Sequence, residues 1–252
     1  MKPAPAGFFF GRVANDAPSS IAGVRGEASG YFAIPHVQGF PMTSRHDLQT
    51  RLEHGIAALG LQLPAGAVER LLDYQALLER WNAAYNLTAI RDPAEMVSRH
   101  LVDSLAILPF VQGATLADLG TGPGLPGIPL AIAAPERQVL LVDSNGKKVR
   151  FLREAIRSLK LENVRAVQSR VEDVEGQFDC ITARAFASLA DMLAWGGHLL
   201  TTNGIWLAMK GRHPEEELSG VPDGFEVRAI RVLDVPDVGG ERHLVVLGRT
   251  GC

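Results

Sequence analysis

The sequence predicts an α/β protein, a mostly parallel sheet with helices on both faces and a helical extension at its N-terminal side. Three observations predict it. From residue 113 onward, short apolar runs alternate with amphipathic stretches. Ahead of them, only helical periodicity is present. Between the two patterns, the strand-like run Thr115–Leu119 empties into a glycine-rich turn and then an apolar helix.

The helical lead-in comes first. Ser44 followed by Asp47 predicts a capping box. Leu48, Leu52, Ile56 and Leu59 then share one face, and Gly60 ends the helix. A second helix follows Pro64, with Val68, Leu71, Leu72, Leu78 and Trp81 turned inward. A third opens at Asp92-Pro93-Ala94-Glu95, where an acid caps the end and proline takes the first helical position. It is expected to run to about Leu108. Residues 42–112 are therefore a helical lead-in and residues 113–252 the principal domain.

The alternating part follows in order. Strands are expected at Thr115–Leu119, Gln138–Val142, Val164–Gln168, Phe178–Ala183 and Gly204–Met209. Helices are expected at Ile128–Ala134, Lys147–Leu159 and Ser188–Trp195. Phe225–Val235 and His243–Gly248 close the chain as paired strands. No helix separates them, so one pairs antiparallel.

Residues 1–41 stand apart, with six glycines and five prolines and no helical or strand period. They read either as a flexible tail or as an upstream misreading ahead of a true start at Met42. Phe8-Phe9-Phe10 is too short for the apolar core of a secretory signal.

Composition excludes several classes. The 252 residues are 46% hydrophobic and 21% charged, with a net charge of -3, which argues against a disordered, collagen-like or disulfide-rich chain. No apolar run approaches a membrane span. Cys180 and Cys252 lack metal-ligand spacing, and the seven histidines form no HxxxH pair. No metal is expected, and a reducing cytoplasm fits.

The chemistry concentrates in Leu116-Ala117-Asp118-Leu119-Gly120-Thr121-Gly122-Pro123-Gly124-Leu125-Pro126-Gly127. Glycines at a strand-to-helix turn let the backbone bend sharply and let a ligand approach the main chain. No Lys-Ser/Thr follows, which argues against a nucleoside triphosphate. Asp118 is placed to fix the loop or to reach a cationic ligand. Asp143 ends the second strand, where an acid suits ribose hydroxyls. A dinucleotide needs free amides at the next helix, and Pro126 and Pro129 remove two of them. The pattern favours S-adenosylmethionine, which carries no phosphate, over a nicotinamide cofactor. A tight glycine turn without a ligand is the plain structural alternative.

The stretch Asp118 to Leu130 closely resembles the glycine motif of the small-subunit rRNA guanine-N7 methyltransferases (RsmG, older name GidB). Further motifs agree in order: Trp81-Asn82, Tyr85-Asn86-Leu87-Thr88, Arg99-His100-Leu101-Val102-Asp103-Ser104, Gln168-Ser169-Arg170-Val171-Glu172, Ala183-Arg184-Ala185-Phe186-Ala187-Ser188-Leu189, Lys210-Gly211 and Gly240-Glu241-Arg242-His243-Leu244. The resemblance spans about 43–249. It implies a class I S-adenosylmethionine-dependent methyltransferase with a Rossmann-like sheet. Its implied target is N7 of a guanosine in the 530 loop of 16S rRNA, guanine 527 in the usual rRNA numbering, within a small-subunit particle. By similarity, Gly120, Leu125, Val171, Glu172 and Arg184 would line the cofactor site. Asp143 joins them on the ribose argument.

Guanine N7 carries a free lone pair, so this transfer needs alignment rather than a general base. Arg184, at a strand's carboxyl end, is expected to touch the cofactor or guide the guanosine, with a surface salt bridge as the alternative. His100 and Asp103 are expected to be structural, pairing with each other or with the sheet. Asn86-Leu87-Thr88 is expected to cap a turn, Trp81 to be core, and Phe186 either to stack on a base or to pack in the core. The turn Ala183-Arg184-Ala185-Phe186 lacks the Pro-Pro-aromatic pattern of exocyclic-amine methylation. Cys180 sits in an apolar strand and reads as core rather than nucleophile.

Charge placement points to nucleic acid. Between Ser144 and Arg170, eight basic residues face two acids, a local balance of +6. Lys147, Lys148, Arg150 and Arg170 are the expected RNA-facing cations, with Lys210 and Arg242 extending the patch. A solvated helix face is the alternative. Two other functions compete. A small-molecule methyltransferase would close a lid over a compact pocket, and a non-catalytic RNA-binding assembly factor would keep the fold without a working donor site.

Overall fold

The computed structural model describes residues 43–185 and 187–251. Residues 1–42, Phe186 and Cys252 lie outside them, and with them the tail, the Met42 start and the Phe186 alternatives. All described residues belong to one compact unit.

The lead-in is helical as its caps dictate. Helix α1 spans Arg45–Ala58, and its capping box is formed: Ser44 Oγ accepts from the Asp47 amide while the Asp47 carboxylate accepts from the Ser44 amide. Gly60 follows at φ 66°. Helix α2 spans Ala67–Tyr85 and ends on Asn86 in the left-handed region. Asn82 ties down the next turn, accepting from Thr88 N and donating to the Ile90 carbonyl.

The third helix departs from expectation. Helix α3, Pro93–Met96, starts on the Asp92 cap, but Val97–Val102 opens into a π-helical stretch before α4, Asp103–Leu105. The rod stops short of Leu108 because Pro109 disfavours helix in the residue before it, and Leu108–Phe110 becomes a 3-10 turn.

Strands β1 (Thr115–Leu119), β2 (Gln138–Asp143), β3 (Val164–Gln168), β4 (Phe178–Arg184), β5 (Leu200–Lys210), β6 (Phe225–Val232) and β7 (His243–Arg249) form one sheet in the order β3-β2-β1-β4-β5-β7-β6. The first five run parallel, and β7 lies antiparallel to both β5 and β6. Helix α5 (Gly127–Ala133) follows β1 and α6 (Gly146–Leu159) follows β2. Helix α7 (Leu189–Gly196) follows β4, and the four-residue α8 (Glu215–Leu218) follows β5. Between β3 and β4 there is only a 3-10 turn, Val171–Asp173.

Alternation along the strands builds two cores. Leu116, Leu141, Cys180 and Leu207 face one side and pack with α1, α2, α5 and α6. Ala117, Val142, Ile181 and Trp206 face the other and pack with α7. The lead-in thus shares its core with the sheet. Trp81 belongs to that packing, with Tyr85 at 5.1 Å and Phe151 at 5.7 Å. Cys180 is fully buried, and burial pushes its thiol up to about 12.

One contact from the lead-in reaches the glycine turn. Tyr74 is fully buried, and its hydroxyl donates to the Pro123 carbonyl at 2.8 Å. Burial holds the phenol far above its usual range, so it stays a donor. Tyr74→Phe is expected to leave that carbonyl without this partner and to cost about 1–2 kcal/mol. A lowered urea midpoint with an unchanged slope would show it.

Candidate active site

The parallel sheet reverses its winding between β1 and β4, and the crevice at such a switch point is where open α/β sheets place ligands. Both cavities of interest open there.

The glycine turn is built around a buried acid. Asp118, fully buried on β1, accepts from Thr121 Oγ1 and from the Gly127 amide, both through Oδ2. It fixes the loop from beneath and faces no ligand space. Gly127 has to be glycine, because a Cβ there would lie 2.7 Å from the same Oδ2. Gly120, Gly122 and Gly124 all have positive φ, and a Cβ at Gly122 would stand 4.0 Å from Lys148 Nζ.

Above the turn lies a cleft of about 380 Å³, lined by Gly120, Asp143, Lys148, Arg170, Val171 and Glu172 among others. Asp143 Oδ2 accepts from the Gly122 amide at 2.9 Å and Oδ1 from the Asn145 amide at 2.8 Å. Lys148 Nζ stands 3.5 Å from Oδ2. Each oxygen keeps a lone pair for another donor. The first turn of α5 offers no amides to a phosphate. Gly127 N is bound to Asp118, Ile128 N donates to the Gly124 carbonyl, and residue 129 is proline.

A second cavity, of about 390 Å³, lies on the β5 side and shares the Ala185 wall with the first. Asp103 sits in it between two arginines. Its Oδ2 accepts from Arg184 Nη1 at 3.0 Å and its Oδ1 from Arg242 Nε at 3.1 Å. Arg184 also donates to the Arg99 carbonyl. His100 lines the same cavity, its Nε2 2.8 Å from Thr88 Oγ1. Burial and the nearby Arg184 charge lower it to about 4, so the ring is neutral at pH 7.

These placements revise several expectations. Gly120, Asp143, Val171 and Glu172 do converge on the first cleft. Leu125 does not line it; it is 3% exposed and packs into the core as the chain enters α5. Arg184 stands in the second cavity, drawn there by Asp103, in a half-buried ion pair rather than a surface one. Lys210 is no free surface cation, because its ammonium donates to Glu217 Oε2 at 2.7 Å and to the Ala187 carbonyl. Arg242 is likewise committed to Asp103. Lys148 turns into the first cleft beside Asp143, and Arg170 lines its rim. Lys147 and Arg150 stand exposed on α6, beside Arg153, along a groove that Gln168 also borders. His100 and Asp103 do not pair with each other; Asp103 pairs with the sheet.

Sequence reasoning missed Asp103 as a hub. Its partners lie 81 and 139 residues away, and the only local signal was an acid in the Arg99–Ser104 motif. Among the described residues, no three His, Cys, Asp or Glu side chains gather as a metal set.

Comparison with known proteins decides the family. The family described as rRNA small subunit methyltransferase G matches residues 67–245. The chain belongs to this family. Ribosomal RNA small subunit methyltransferase G of Stenotrophomonas maltophilia (strain K279a) is 58% identical over 198 residues, covering 78% of this chain and 92% of that protein. The Xanthomonas euvesicatoria protein of the same name is 55% identical over 203 residues, covering 80% and 95%. The chain is thus a methyltransferase acting on small-subunit rRNA. Among solved structures, magnesium protoporphyrin IX methyltransferase from Synechocystis PCC 6803 with bound SAM superposes with a TM-score of 0.52 at 12% identity, over 71% of this chain and 98% of that one. TrmN from Thermus thermophilus gives 0.51 at 20% identity, over 68% and 52%. Both show the class I methyltransferase fold.

Two buried groups set opposing pH dependences. Burial raises Asp118 to about 7, against the hydrogen bonds from Thr121 and Gly127. Between the ordinary carboxylate value and about 7 the folded state holds the extra proton, so stability falls as pH rises. His100 does the reverse. Between about 4 and its ordinary value of 6.5 the unfolded state holds the extra proton, so stability falls as pH drops. The two contributions oppose each other from about pH 4 to 6.5. Melting curves over that window are expected to fall more steeply with acid in Asp118→Asn than in the wild type. In His100→Asn they are expected to tilt the other way.

Proposed function

We propose that the chain transfers a methyl group from S-adenosylmethionine to N7 of a guanosine in the 530 loop of 16S rRNA, guanine 527 in the usual numbering. The substrate is a small-subunit particle, and the reaction is cytoplasmic. One observation carries the choice of donor: the α5 N-terminus has spent its amides on Asp118 and Gly124, so a pyrophosphate finds no anchor there. A phosphate-free adenosyl ligand needs none. The acceptor oxygens it does need are at hand, in Asp143 for ribose hydroxyls and in Glu172 on the same wall.

When bound, S-adenosylmethionine supplies a methyl group on a positively charged sulfur. The chain's residues hold and align. Gly120 keeps the floor of the first cleft at main-chain height. Val171 closes an apolar wall, and Asp143 orients the ribose while Lys148 tempers its charge. Residues 113–252 carry this chemistry, and the helical lead-in braces it through Tyr74. Guanine N7 attacks with its own lone pair, and no proton leaves first. The site's inventory suits that reaction, since His100 is neutral and bound to Thr88, and Asp103 is held by two arginines. Alignment alone supplies on the order of 7–11 kcal/mol.

An open cleft beside the exposed cations of α6 favours RNA over a small molecule. Deleting the gene is expected to remove one N7-methylguanosine from 16S rRNA, mapped by cleavage at the modified base, and the wild-type gene to restore it. An unchanged methylation map would overturn the reading. Calorimetry separates an assembly factor from an enzyme, since a vestigial site would not take up S-adenosylmethionine. For the RNA face, replacing Lys147, Arg150 and Arg153 with alanine is expected to weaken particle binding at every salt concentration. It should also reduce the log–log salt slope by roughly 0.7–0.9 for each phosphate that the variant no longer neutralises.

A further inference from the structure

We infer that the second cavity receives the target guanine, and that Asp103 reads the base by accepting from its N1–H and 2-amino group. The inference rests on the N7 reading and adds the residue that makes the site specific for guanine.

The argument begins with geometry. The two cavities meet at Ala185, a non-glycine residue held at φ 50°. A methyl donor held in the first cleft would have to present its methyl group at that boundary to reach a base in the second cavity. Guanine must then turn N7 to the boundary, which leaves the opposite edge of the base directed into the second cavity. That edge carries two adjacent donors, N1–H and the 2-amino group. An acceptor-only partner with two oxygens matches it. A base lifted from its stack is read in this way, by hydrogen bonds to its Watson–Crick edge.

Asp103 is the carboxylate in that wall. Its side chain is 5% exposed, and each oxygen already takes one arginine N–H, at 3.0 and 3.1 Å. The two arginines fix the orientation of the carboxylate, and each oxygen retains one acceptor position. No other side chain of the cavity offers two acceptor oxygens: His243 Nδ1 has no partner among the described residues, but a ring nitrogen accepts one donor at most. Lys210 is bound to Glu217 and the Ala187 carbonyl, and His100 to Thr88. Adenine presents an acceptor at N1 and has no 2-amino group, so it would set a lone pair against the carboxylate. A buried group built to hydrogen-bond one base rejects the base that lacks the partner.

A merely structural ion pair would join the lead-in to β4 and the β6–β7 loop without caring which base is offered. The test therefore reads base preference. Small-subunit particles are reconstituted with rRNA carrying either guanosine or inosine at the position the wild type methylates. Inosine keeps N7, O6 and N1–H and lacks only the 2-amino group. The wild type is expected to lose about 10- to 100-fold in kcat/KM on inosine, the cost of leaving a charged acceptor short of one donor. In Asp103→Asn that preference is expected to shrink below about 3-fold, with activity on guanosine reduced and calorimetric affinity for S-adenosylmethionine unchanged. Equal wild-type rates on the two particles would overturn the assignment of Asp103 while leaving N7 methylation intact, and the wild-type arm decides this even if the variant folds poorly. Failure to methylate N7 of the guanosine particle would overturn the functional reading, and this inference with it.

Discussion

A single buried carboxylate organises the ligand edge of this protein. Asp118 lies beneath the turn from β1 to α5 and holds both of its ends, through Thr121 and Gly127. Its Oδ1 has no partner among the described residues. A carboxyl group in that position costs desolvation energy, and burial raises its proton affinity accordingly. Such a group is better understood as setting geometry than as adding stability. The turn it fixes puts Gly120 on the first cleft, turns the Gly122 amide to Asp143 and commits the Gly127 amide. The same bond that shapes the loop therefore also denies the α5 N-terminus to phosphate.

A second charged cluster performs the complementary task at longer range. Asp103 belongs to the lead-in, Arg184 to the end of β4, and Arg242 to the approach to β7. Three distant stretches meet in one half-buried network, beside a histidine kept neutral by burial. The π-helical stretch before Asp103 widens the helix one turn ahead of it, a feature often found next to functional positions. The lead-in is thus no passive cover: α2 braces the glycine turn through Tyr74, and α4 furnishes the acid of the second cavity.

Much of the fold was legible in order. The capping residues Ser44 and Asp92, the left-handed Gly60 and the alternation of β1, β2 and β4 each act locally, through hydrogen bonds within a few residues or through burial on one face. Boundaries shifted where neighbours intervened. Strand β5 begins four residues before the expected Gly204, at Leu200, because β4 pairs with it as far as Phe178. The third helix opened and stopped early under the constraints of a π turn and Pro109. Of the site, the glycine loop and Asp143 were legible because they stand at the carboxyl ends of β1 and β2, whereas Val171 and Glu172 were legible through the family resemblance.

The charged residues divide along the same line. Sequence alone determined the family motifs, the strand–helix order and the concentration of positive charge after β2, because each is a property of neighbouring residues. Only the tertiary structure decided what each cation does. Lys147 and Arg150 are exposed, Lys148 attends Asp143, Lys210 is bound to Glu217, and Arg184 and Arg242 share Asp103. A charge is free or spent according to the partner that folding brings within about 3 Å, and that partner lay up to 139 residues away.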